Sequence, residues 1–272
     1  MRKIDWKALS IPALAACAML GGRPVTAQDA PAAPAPTAVA AASPGAVEPK
    51  AREVVGWMSS YLDSQPRLRF LIQDTVDREE EDGSMQTFSH KRTVTVQRPD
   101  KLRMDVVGDL ERETVVYDGK TITISLPLEN LYAKTETAPS INAMLDDMSK
   151  RYGVTRPAAD LAREGLGSGL LTRVESGKYL GIHRVLDEPC HHIAFTTAEM
   201  DWQVWIREGE VPTPRKVQIH YKNLYGEPRY TMLIQQVETP GSIAPGAFTL
   251  NPPKDAEEIP FASRSKAGKE TK

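Results

Sequence analysis

The sequence has few cysteines, little net charge and no apolar run long enough to cross a membrane. Only two of its 272 residues are cysteines, at positions 17 and 190. The formal net charge of −2 excludes the strongly basic surface that is typical of nucleic-acid-binding proteins. The apolar run from Ala8 to Leu20 is short and contains Pro12, which excludes a membrane-spanning helix there. With 40% hydrophobic residues, the chain can still bury a full globular core.

Motifs for catalysis are also missing. The segment Gly165 to Gly169 contains Ser168, but a Gly-x-Ser-x-Gly nucleophile motif would need glycine at positions 166 and 170. It also lacks the Lys-Ser/Thr pair of a phosphate-binding loop, so we expect a flexible connector. The acidic run Glu79 to Asp82 lacks the ligand spacing of an EF-hand and is expected to form a solvated hairpin tip. The sequence thus predicts a protein that is not an enzyme and binds no cofactor.

Residues 1–27 resemble a secretory signal peptide. Three basic residues precede the apolar run, and Val25 to Ala27 provide small residues at the cleavage site. Cleavage after Ala27 removes four basic residues and one acidic residue, which changes the formal net charge from −2 to −5. It also leaves Cys190 as the only cysteine, so that no intramolecular disulfide can form. We therefore predict a periplasmic protein that is exported by a signal peptide.

An alternative concerns Leu14 to Cys17, which resembles a bacterial lipobox. In that case Cys17 would carry the lipid and anchor the protein as a lipoprotein. The apolar run continues beyond Cys17 as far as Leu20, and a better-placed cleavage site follows it. Export by a cleaved signal peptide is therefore the favoured prediction, and the mass of the mature N-terminus distinguishes the two alternatives.

The composition divides the rest of the chain into three parts. Residues 28–49 are rich in Ala and Pro, contain almost no large apolar residues and are predicted to form a semi-extended linker. Residues 50–253 contain the alternating and helical patterns of a folded domain. Residues 254–272 are predicted to form a polar C-terminal tail.

The stretch from Arg98 to Tyr132 shows β-structure most clearly. Apolar residues alternate with polar ones from Leu102 to Val106 and again from Ile122 to Leu126. Asp118-Gly119, which lies between them, is a strong signal for a tight hairpin turn. Similar patterns recur along the chain as far as a short strand predicted at Ala247 to Leu250. They predict about ten strands joined by short turns.

Two segments have helical periodicity. Lys50 to Leu62 places its apolar residues on one stripe after Pro49, and Ser140 to Tyr152 does the same with Ser140 as its N-cap. Pro157 to Glu164 is predicted as a further short helix. So few helices cannot form an outer layer over a large sheet. We therefore predict a mainly β, α+β fold, in which one large curled antiparallel sheet, an open half-barrel, has two or three helices on its concave face.

Several motifs resemble those of known families. The segments Arg98 to Arg103, Tyr117 to Lys120 and Asn130 to Tyr132 are similar to the LolA/LppX-like superfamily of periplasmic lipoprotein carriers. The segments Gly181 to Phe195, Asp201 to Ile206 and Pro214 to Lys216 resemble the DUF2092 family of predicted periplasmic proteins. Together the likeness covers residues 51–253. It implies a strongly bent open sheet whose concave face is filled by helices and holds lipid or lipoprotein acyl chains.

A hydrophobic ligand-binding surface is predicted on this basis. It combines inward-facing strand residues with the methionine-rich face of the second helix, because methionine adapts to apolar ligands of varied shape. The helix Ser140 to Tyr152 is predicted to fill the empty cavity and to move when ligand binds. The predicted ligand-binding residues are Leu102, Met104, Val106, Ile122, Ile124, Met144, Leu145, Met148, Trp202 and Val204. For the strand of Trp202 and Val204, and for the methionines of the helix, ordinary core packing is the alternative.

Cys190, His191 and His192, with His183 on the preceding strand, form the group most similar to a metal site. Successive strand residues point to opposite faces, so Cys190 and His192 share one face and His191 lies on the other. At most three of the four side chains can converge. We therefore predict that the protein binds no stoichiometric metal, and elemental analysis of the purified protein tests this.

The sequence thus predicts a non-enzymatic periplasmic carrier or chaperone for a lipid, a lipoprotein or another hydrophobic ligand. The alternative is an envelope sensor or protein-interaction module that uses the same fold to signal to a membrane-protein partner. Lipid that co-purifies with the protein favours the carrier. An empty protein that binds a membrane partner favours the sensor.

Overall fold

The structure, a computed structural model, describes residues 46–80 and 82–261. The predicted signal peptide, Cys17, residues 28–45 of the predicted linker and residues 262–272 lie outside the described residues. The described helices are α1 (Pro49–Asp63), α2 (Ile141–Tyr152), α3 (Pro157–Asp160) and α4 (Leu166–Leu171), with a 3-10 helix at Pro245–Phe248. The described strands are β1 (Arg67–Glu79), β2 (Met85–Gln97), β3 (Lys101–Gly108), β4 (Arg112–Tyr117), β5 (Thr121–Leu126), β6 (Leu131–Glu136), β7 (Ser176–Val185), β8 (Glu188–Thr196), β9 (Met200–Arg207), β10 (Pro214–Tyr221), β11 (Arg229–Glu238) and β12 (Glu257–Glu258).

All twelve described strands belong to one sheet. Their order across the sheet is β12-β6-β5-β4-β3-β2-β1-β11-β10-β9-β8-β7. Every neighbouring pair is antiparallel except β12 with β6. The first six strands form one half and the next five form the other, and β1 joins β11 in the middle. This curled open sheet confirms the predicted fold class, although the predicted number of about ten strands is too low.

The strands that the sequence prediction misses are β6 and β12. β6 has the sequence LYAKTE, in which apolar residues occupy only the first half. β12 consists of Glu257 and Glu258, which pair with the backbone of Leu131 and Tyr132 and bury no apolar side chain of their own. The fold thus continues past residue 253, where the sequence predicts a polar tail, and Ile259 is buried in the core.

The predicted strand at Ala247 to Leu250 is wrong. Pro245–Phe248 form a 3-10 helix instead, and the Phe248 side chain is buried. Arg103 Nη1 donates a hydrogen bond to the carbonyl oxygen of Ala247 at 3.2 Å. The apolar residues here therefore pack as one turn on the sheet and do not add to its ladder.

Most buried apolar residues of the strands face one side of the sheet, and the α-helices pack on that side. Alternate residues of β1 and β3 are buried, for example Phe70 and Met104. They belong to the same hydrophobic core as Val54 and Leu62 of α1 and Met144 of α2. The helices therefore fill the concave face, as the sequence predicts, but the described chain has four α-helices and not two or three.

The turn between β4 and β5 confirms the predicted hairpin, with a different geometry. Gly119 has a φ of 98°, whereas Asp118 keeps a negative φ. The Asp118 carboxylate accepts hydrogen bonds from the backbone N–H groups of Lys120 and Thr121 at 3.0 and 2.8 Å. The aspartate thus stabilises the turn through its side chain, and only the glycine uses the left-handed region.

Both long helices begin and end where the sequence predicts. In α1, Pro49 occupies the first turn, where its missing N–H is tolerated. In α2, Ser140 Oγ accepts a hydrogen bond from the backbone N–H of Ala143 at 3.3 Å, and Gly153 ends the helix with a φ of 70°. These end signals are local, which explains why the sequence alone predicts them.

The predicted flexible connector at Gly165 to Gly169 is wrong, because Leu166–Leu171 form α4 against α1. The backbone N–H of Gly167 donates to Ser59 Oγ at 3.0 Å. A Cβ on Gly167 would lie only 2.8 Å from Ser59 Cβ, so glycine allows the two helices to approach closely. The preceding helix α3 ends at Asp160 and is shorter than the predicted Pro157 to Glu164.

Candidate ligand-binding site beneath α2

A small apolar cavity lies between α2 and the strands β3, β4 and β5. The strands contribute alternate residues because only those point toward the helix. The helix contributes residues spaced by one, three and four positions, which lie on one face. The lining residues are Leu102, Met104, Val115, Ile122 and Ile124 from the strands, Met144, Leu145 and Met148 from α2, and Val154, Arg156 and Ala159 from the segment that follows α2.

The cavity has a volume of about 20 Å³. This space holds about one water molecule. Pockets for small organic ligands typically enclose about 300–1,000 Å³. The cavity is therefore too small to hold such a ligand in the described conformation.

Polar contacts at the protein surface fasten α2 to its surroundings. Asn142 Nδ2 donates to the carbonyl oxygen of Glu164 at 2.9 Å, and Asp147 Oδ2 accepts from Thr137 Oγ1 at 2.9 Å. Such hydrogen bonds typically contribute about 0.5–1.5 kcal/mol each, and more where one partner is charged. Beneath them, the two buried methionines of α2 can adopt several rotamers. These polar contacts and the buried side chains Ile141, Met144 and Met148 together hold α2 against the sheet.

Arg156 is the charged residue among those that line the cavity. It precedes α3, and its Nη1 and Nη2 donate to Oε2 and Oε1 of Glu113 at 2.8 and 2.6 Å. The two side chains are only 9% and 0% exposed. Burial raises the pKa of the Glu113 carboxyl, and the Arg156 guanidinium opposes that rise. The cavity wall itself is apolar, and the buried bidentate ion pair adjoins it.

Further charged side chains extend from Glu113 across the concave face. Arg92 Nε donates to Asp74 Oδ1 at 2.8 Å, and Arg92 Nη2 lies 3.4 Å from Glu111 Oε1. His90 lies between the same two carboxylates. Its Nδ1 is 3.5 Å from Asp74 Oδ2, and its Nε2 is 3.5 Å from Glu111 Oε1. These four side chains are at most 15% exposed. The concave face therefore changes from apolar beneath α2 to charged at the border of the cavity.

Most residues predicted to bind the ligand line this cavity. They are Leu102, Met104, Ile122, Ile124, Met144, Leu145 and Met148. Val106 is buried in the same core and pairs with Glu113 across β3 and β4, but it is not among the lining residues. The sequence thus predicts which strand and helix faces meet, while the function of these residues stays a prediction.

Trp202 and Val204 lie elsewhere, although the sequence prediction groups them with the same surface. Their strand β9 is separated from β3 by β2, β1, β11 and β10, which places it about 24 Å away along the sheet. Trp202 stacks on Phe195 with ring centroids 4.2 Å apart, in the part of the core that α1 covers. Alternation shows which face a residue occupies but not how far apart two strands lie.

Four lining residues are absent from the sequence prediction: Val115, Val154, Arg156 and Ala159. One signal for the charged pair is present in β4, where Glu113 occupies the same alternating face as Val115 and Tyr117. A carboxylate at an inward position requires a buried partner. The partner itself, Arg156, comes from a connector without periodicity, so the sequence does not identify it.

The Cys/His group is divided between the two faces of the sheet. His183 and His192 meet with their Nδ1 atoms 2.8 Å apart, and His192 Nε2 lies 2.8 Å from Gln203 Oε1. His191 is on the opposite face, where its Nδ1 lies 2.9 Å from the hydroxyl of Tyr179. Burial lowers the pKa of His191 and His192, which favours their neutral forms.

Across residues 46–80 and 82–261, no group of three or more His, Cys, Asp or Glu side chains could hold a metal ion. The expectation that the purified protein binds no stoichiometric metal stays a prediction. In the same part of the chain, no helix combines the length and the hydrophobicity that crossing a membrane requires.

Comparison with known proteins gives one family and several distant structural likenesses. The model of DUF2092, described as a predicted periplasmic protein, matches residues 51–262. No curated protein matches the chain. Similar solved structures include an uncharacterized conserved protein from Thermus thermophilus, with 12% identity and a TM-score of 0.47 over 78% of this chain and 99% of that one. The lipoprotein LppX of Mycobacterium tuberculosis has 11% identity and a TM-score of 0.41 over 72% of this chain and 100% of that one. A LolA superfamily protein from Nitrosomonas europaea has 8% identity and a TM-score of 0.35 over 74% of this chain and 97% of that one. These TM-scores are below 0.5, so the likenesses carry no argument about function.

Proposed function

We propose that this chain, which belongs to the DUF2092 family of predicted periplasmic proteins, is a non-enzymatic periplasmic carrier for a lipid, a lipoprotein acyl chain or another hydrophobic ligand. The ligand binds between α2 and the strands β3, β4 and β5. Export depends on the signal peptide predicted at residues 1–27, and anchoring through Cys17 is the alternative.

The observation that supports this proposal is the apolar cavity beneath α2. Protein interiors are close-packed, so a void beneath α2 marks a place where the packing against the strands is incomplete. Here Met144, Leu145 and Met148 meet the strands with space between them. Methionine side chains can repack around a guest of varied shape. The interface between α2 and the strands is therefore suited to open and to close again around a hydrocarbon chain.

The energetics of such a carrier are favourable. Each buried methylene contributes about 0.8 kcal/mol, so a chain of about twelve carbons gains roughly 10 kcal/mol before ordering losses. Displacement of α2 consumes part of this gain, which lowers the net affinity and permits release. A closed empty state thus protects the apolar surface from water and makes binding reversible.

Lipid extraction tests the carrier function directly. The full chain is produced with its own N-terminus, purified from the periplasm without detergent, and extracted for mass spectrometry. We expect one class of lipid to recur in stoichiometric amounts. An equally exported protein of similar size, purified in parallel, controls for carry-over. Protein that is repeatedly empty and binds a specific membrane protein would instead support the sensor.

A pair of tryptophan variants in α2 tests the location of the site. Met148→Trp fills the cavity, whereas Lys150→Trp places the same side chain on the exposed face of the helix. We expect Met148→Trp to reduce binding of a fluorescent fatty acid at least about tenfold, because the indole occupies space that the hydrocarbon chain needs. Lys150→Trp should bind as the wild type does. Equal affinities of both variants would place the ligand elsewhere.

Hydrogen exchange then tests the movement of α2. If ligand displaces α2, its amides change their exchange rates when ligand is added, while those of α1 do not. Unchanged exchange throughout α2 in the presence of saturating ligand would count against its role as a movable plug.

A further inference from the structure

We infer that the ligand is an anionic amphiphile, whose carboxylate or phosphate group binds Arg156 in place of Glu113 while its hydrocarbon chain lies beneath α2. This inference rests on the proposed carrier function and adds to it the chemical class of the head group. Its basis is the position of a buried ion pair at the wall of an apolar cavity.

The position of Arg156 provides the first part of the argument. Arg156 borders the cavity with its apolar atoms, and its buried guanidinium lies next to the apolar wall although burying a charge carries a large desolvation penalty. The planar guanidinium of arginine matches the two oxygens of a carboxylate or phosphate. Glu113 already places two carboxylate oxygens 2.6 and 2.8 Å from Nη2 and Nη1 of Arg156. Glu113 therefore occupies the position that the head group of a ligand would take.

The location of Glu113 makes an exchange feasible. Its side chain is fully buried, so it is charged at the expense of desolvation and depends on the adjacent guanidinium. When an anionic ligand binds the Arg156 guanidinium, Glu113 can take up a proton and remain in its apolar surroundings as a neutral acid. One anion and one proton then enter together, and the charge of the site is unchanged. Burial, which raises the pKa of Glu113, favours this protonation.

Among the neighbouring charges, Arg156 is the one that mainly favours an anion at this position. Arg92 acts on Glu113 in the same sense, but Glu111 opposes an anion more strongly than Arg92 supports it. A cationic head group at the wall of the cavity would meet the Arg156 guanidinium and be repelled. A neutral head group would leave the pair between Arg156 and Glu113 intact and would gain no charge-assisted hydrogen bond.

Three amphiphiles with the same hydrocarbon chain test the inference: laurate, dodecyl phosphate and dodecanol. Binding of each to the wild-type protein is measured by isothermal titration calorimetry, with laurate and dodecyl phosphate below their critical micelle concentrations and dodecanol below its solubility limit. We expect laurate, dodecyl phosphate or both to bind on the order of tenfold more tightly than dodecanol, since hydrogen bonds to charged groups are the stronger ones. The ratio of the two anions distinguishes a carboxylate from a phosphate preference. If dodecanol binds as tightly as both anions, the inference is wrong while the carrier function stands. If none of the three binds, both fail.

A double variant shows whether the preference comes from the ion pair. Replacing Arg156 alone leaves Glu113 buried without a partner, which endangers folding. Glu113→Leu combined with Arg156→Met removes both charges and keeps the apolar volume. We expect this variant to bind dodecanol about as tightly as the wild type and to lose the preference for the anions. Retention of the full preference in a folded double variant would overturn the inference.

Proton uptake provides a readout that a structural role of the pair would not change. Calorimetry of laurate binding is repeated in two buffers of different ionisation enthalpy at the same pH. We expect the wild type to take up a proton with laurate, and neither the double variant with laurate nor the wild type with dodecanol to do so. Laurate binding without proton uptake would contradict the exchange with Glu113.

Discussion

The two long helices lie on the same concave face but form different interfaces with the sheet. Beneath α1, small and β-branched residues such as Val54 and Val55 pack closely, and α4 covers the helix at Gly167. Beneath α2, two methionines meet the strands around a cavity that adjoins a buried ion pair. The first interface is built for close packing, and the second keeps space and adaptable side chains. The two helices thus differ in how completely they pack against the same sheet.

The ion pair provides the largest expected contrast between the two interfaces. Arg156→Met removes the partner of the buried Glu113, and we expect it to lower the free energy of unfolding by about 3–5 kcal/mol in urea denaturation. Lys50→Met in α1 breaks the exposed contact with Glu53 and should change the free energy by no more than about 1 kcal/mol. Adding Glu113→Leu to Arg156→Met should restore the free energy of unfolding. A double variant as unstable as the single one would show that the damage is steric.

Methionine replacements sharpen the comparison between close packing and adaptable packing. Met58 in α1 and Met148 in α2 are equally buried, at 1% and 2% exposure. We expect Met58→Ala to lower the free energy of unfolding by about 2–5 kcal/mol and Met148→Ala to lower it by about half as much. The reason is that the residues around the cavity have room to relax. The midpoints of thermal unfolding compare the two variants, and equal losses would remove the distinction between the interfaces.

Glycine replacements in α4 test the close packing against α1. In Gly167→Ala, the new Cβ would lie 2.8 Å from Ser59 Cβ and 3.2 Å from the backbone oxygen of Val55. We expect a loss of about 1–3 kcal/mol without a change in ligand affinity. Gly169→Ala in the same helix meets open space and should be neutral or stabilising by up to about 1 kcal/mol. If both variants behave alike, α4 does not constrain α1.

The smallest effect concerns pH. Burial raises the pKa of Glu113 above its ordinary value of 4.5, so the folded state binds this proton more tightly than the unfolded state. The stability gained from that proton is fully present below the ordinary pKa and is lost as pH rises through the raised pKa. Relative to the Glu113→Leu, Arg156→Met variant, the wild type should therefore become less stable as the solution is brought from acid toward neutral pH. Parallel pH profiles of the two proteins would contradict the raised pKa.

The sequence predicts those parts of the fold that depend on local signals. Ser140 and Gly153 mark the ends of α2, and the alternation at Leu102 and Ile124 shows which strand faces are buried. These signals suffice for the fold class and for most of the apolar cavity wall. They act within a few residues of one another, so one sequence is enough to reveal them.

Other features depend on contacts between distant parts of the chain. In the sequence alone, Gly167 indicates flexibility. In the structure Ser59 lies opposite it, which shows that this glycine permits the close approach of α4 to α1. Trp202 shares a face with Met104, but four strands separate their positions. Arg156 pairs with Glu113 from a connector whose sequence has no periodic pattern. The pairing of distant elements therefore decides where the candidate site lies.

The join between β1 and β11 has a consequence for the order of folding. Arg69 and Glu238, which form an ion pair across this join, are 169 residues apart in the chain. The first six strands can pair with one another from neighbouring segments of the chain. One edge of β1, however, stays unpaired until β11 reaches it. Loop closure over such a distance is slow compared with the formation of local hairpins. A chain that passes through a membrane before it folds would therefore complete the middle of its sheet only after most of it has emerged.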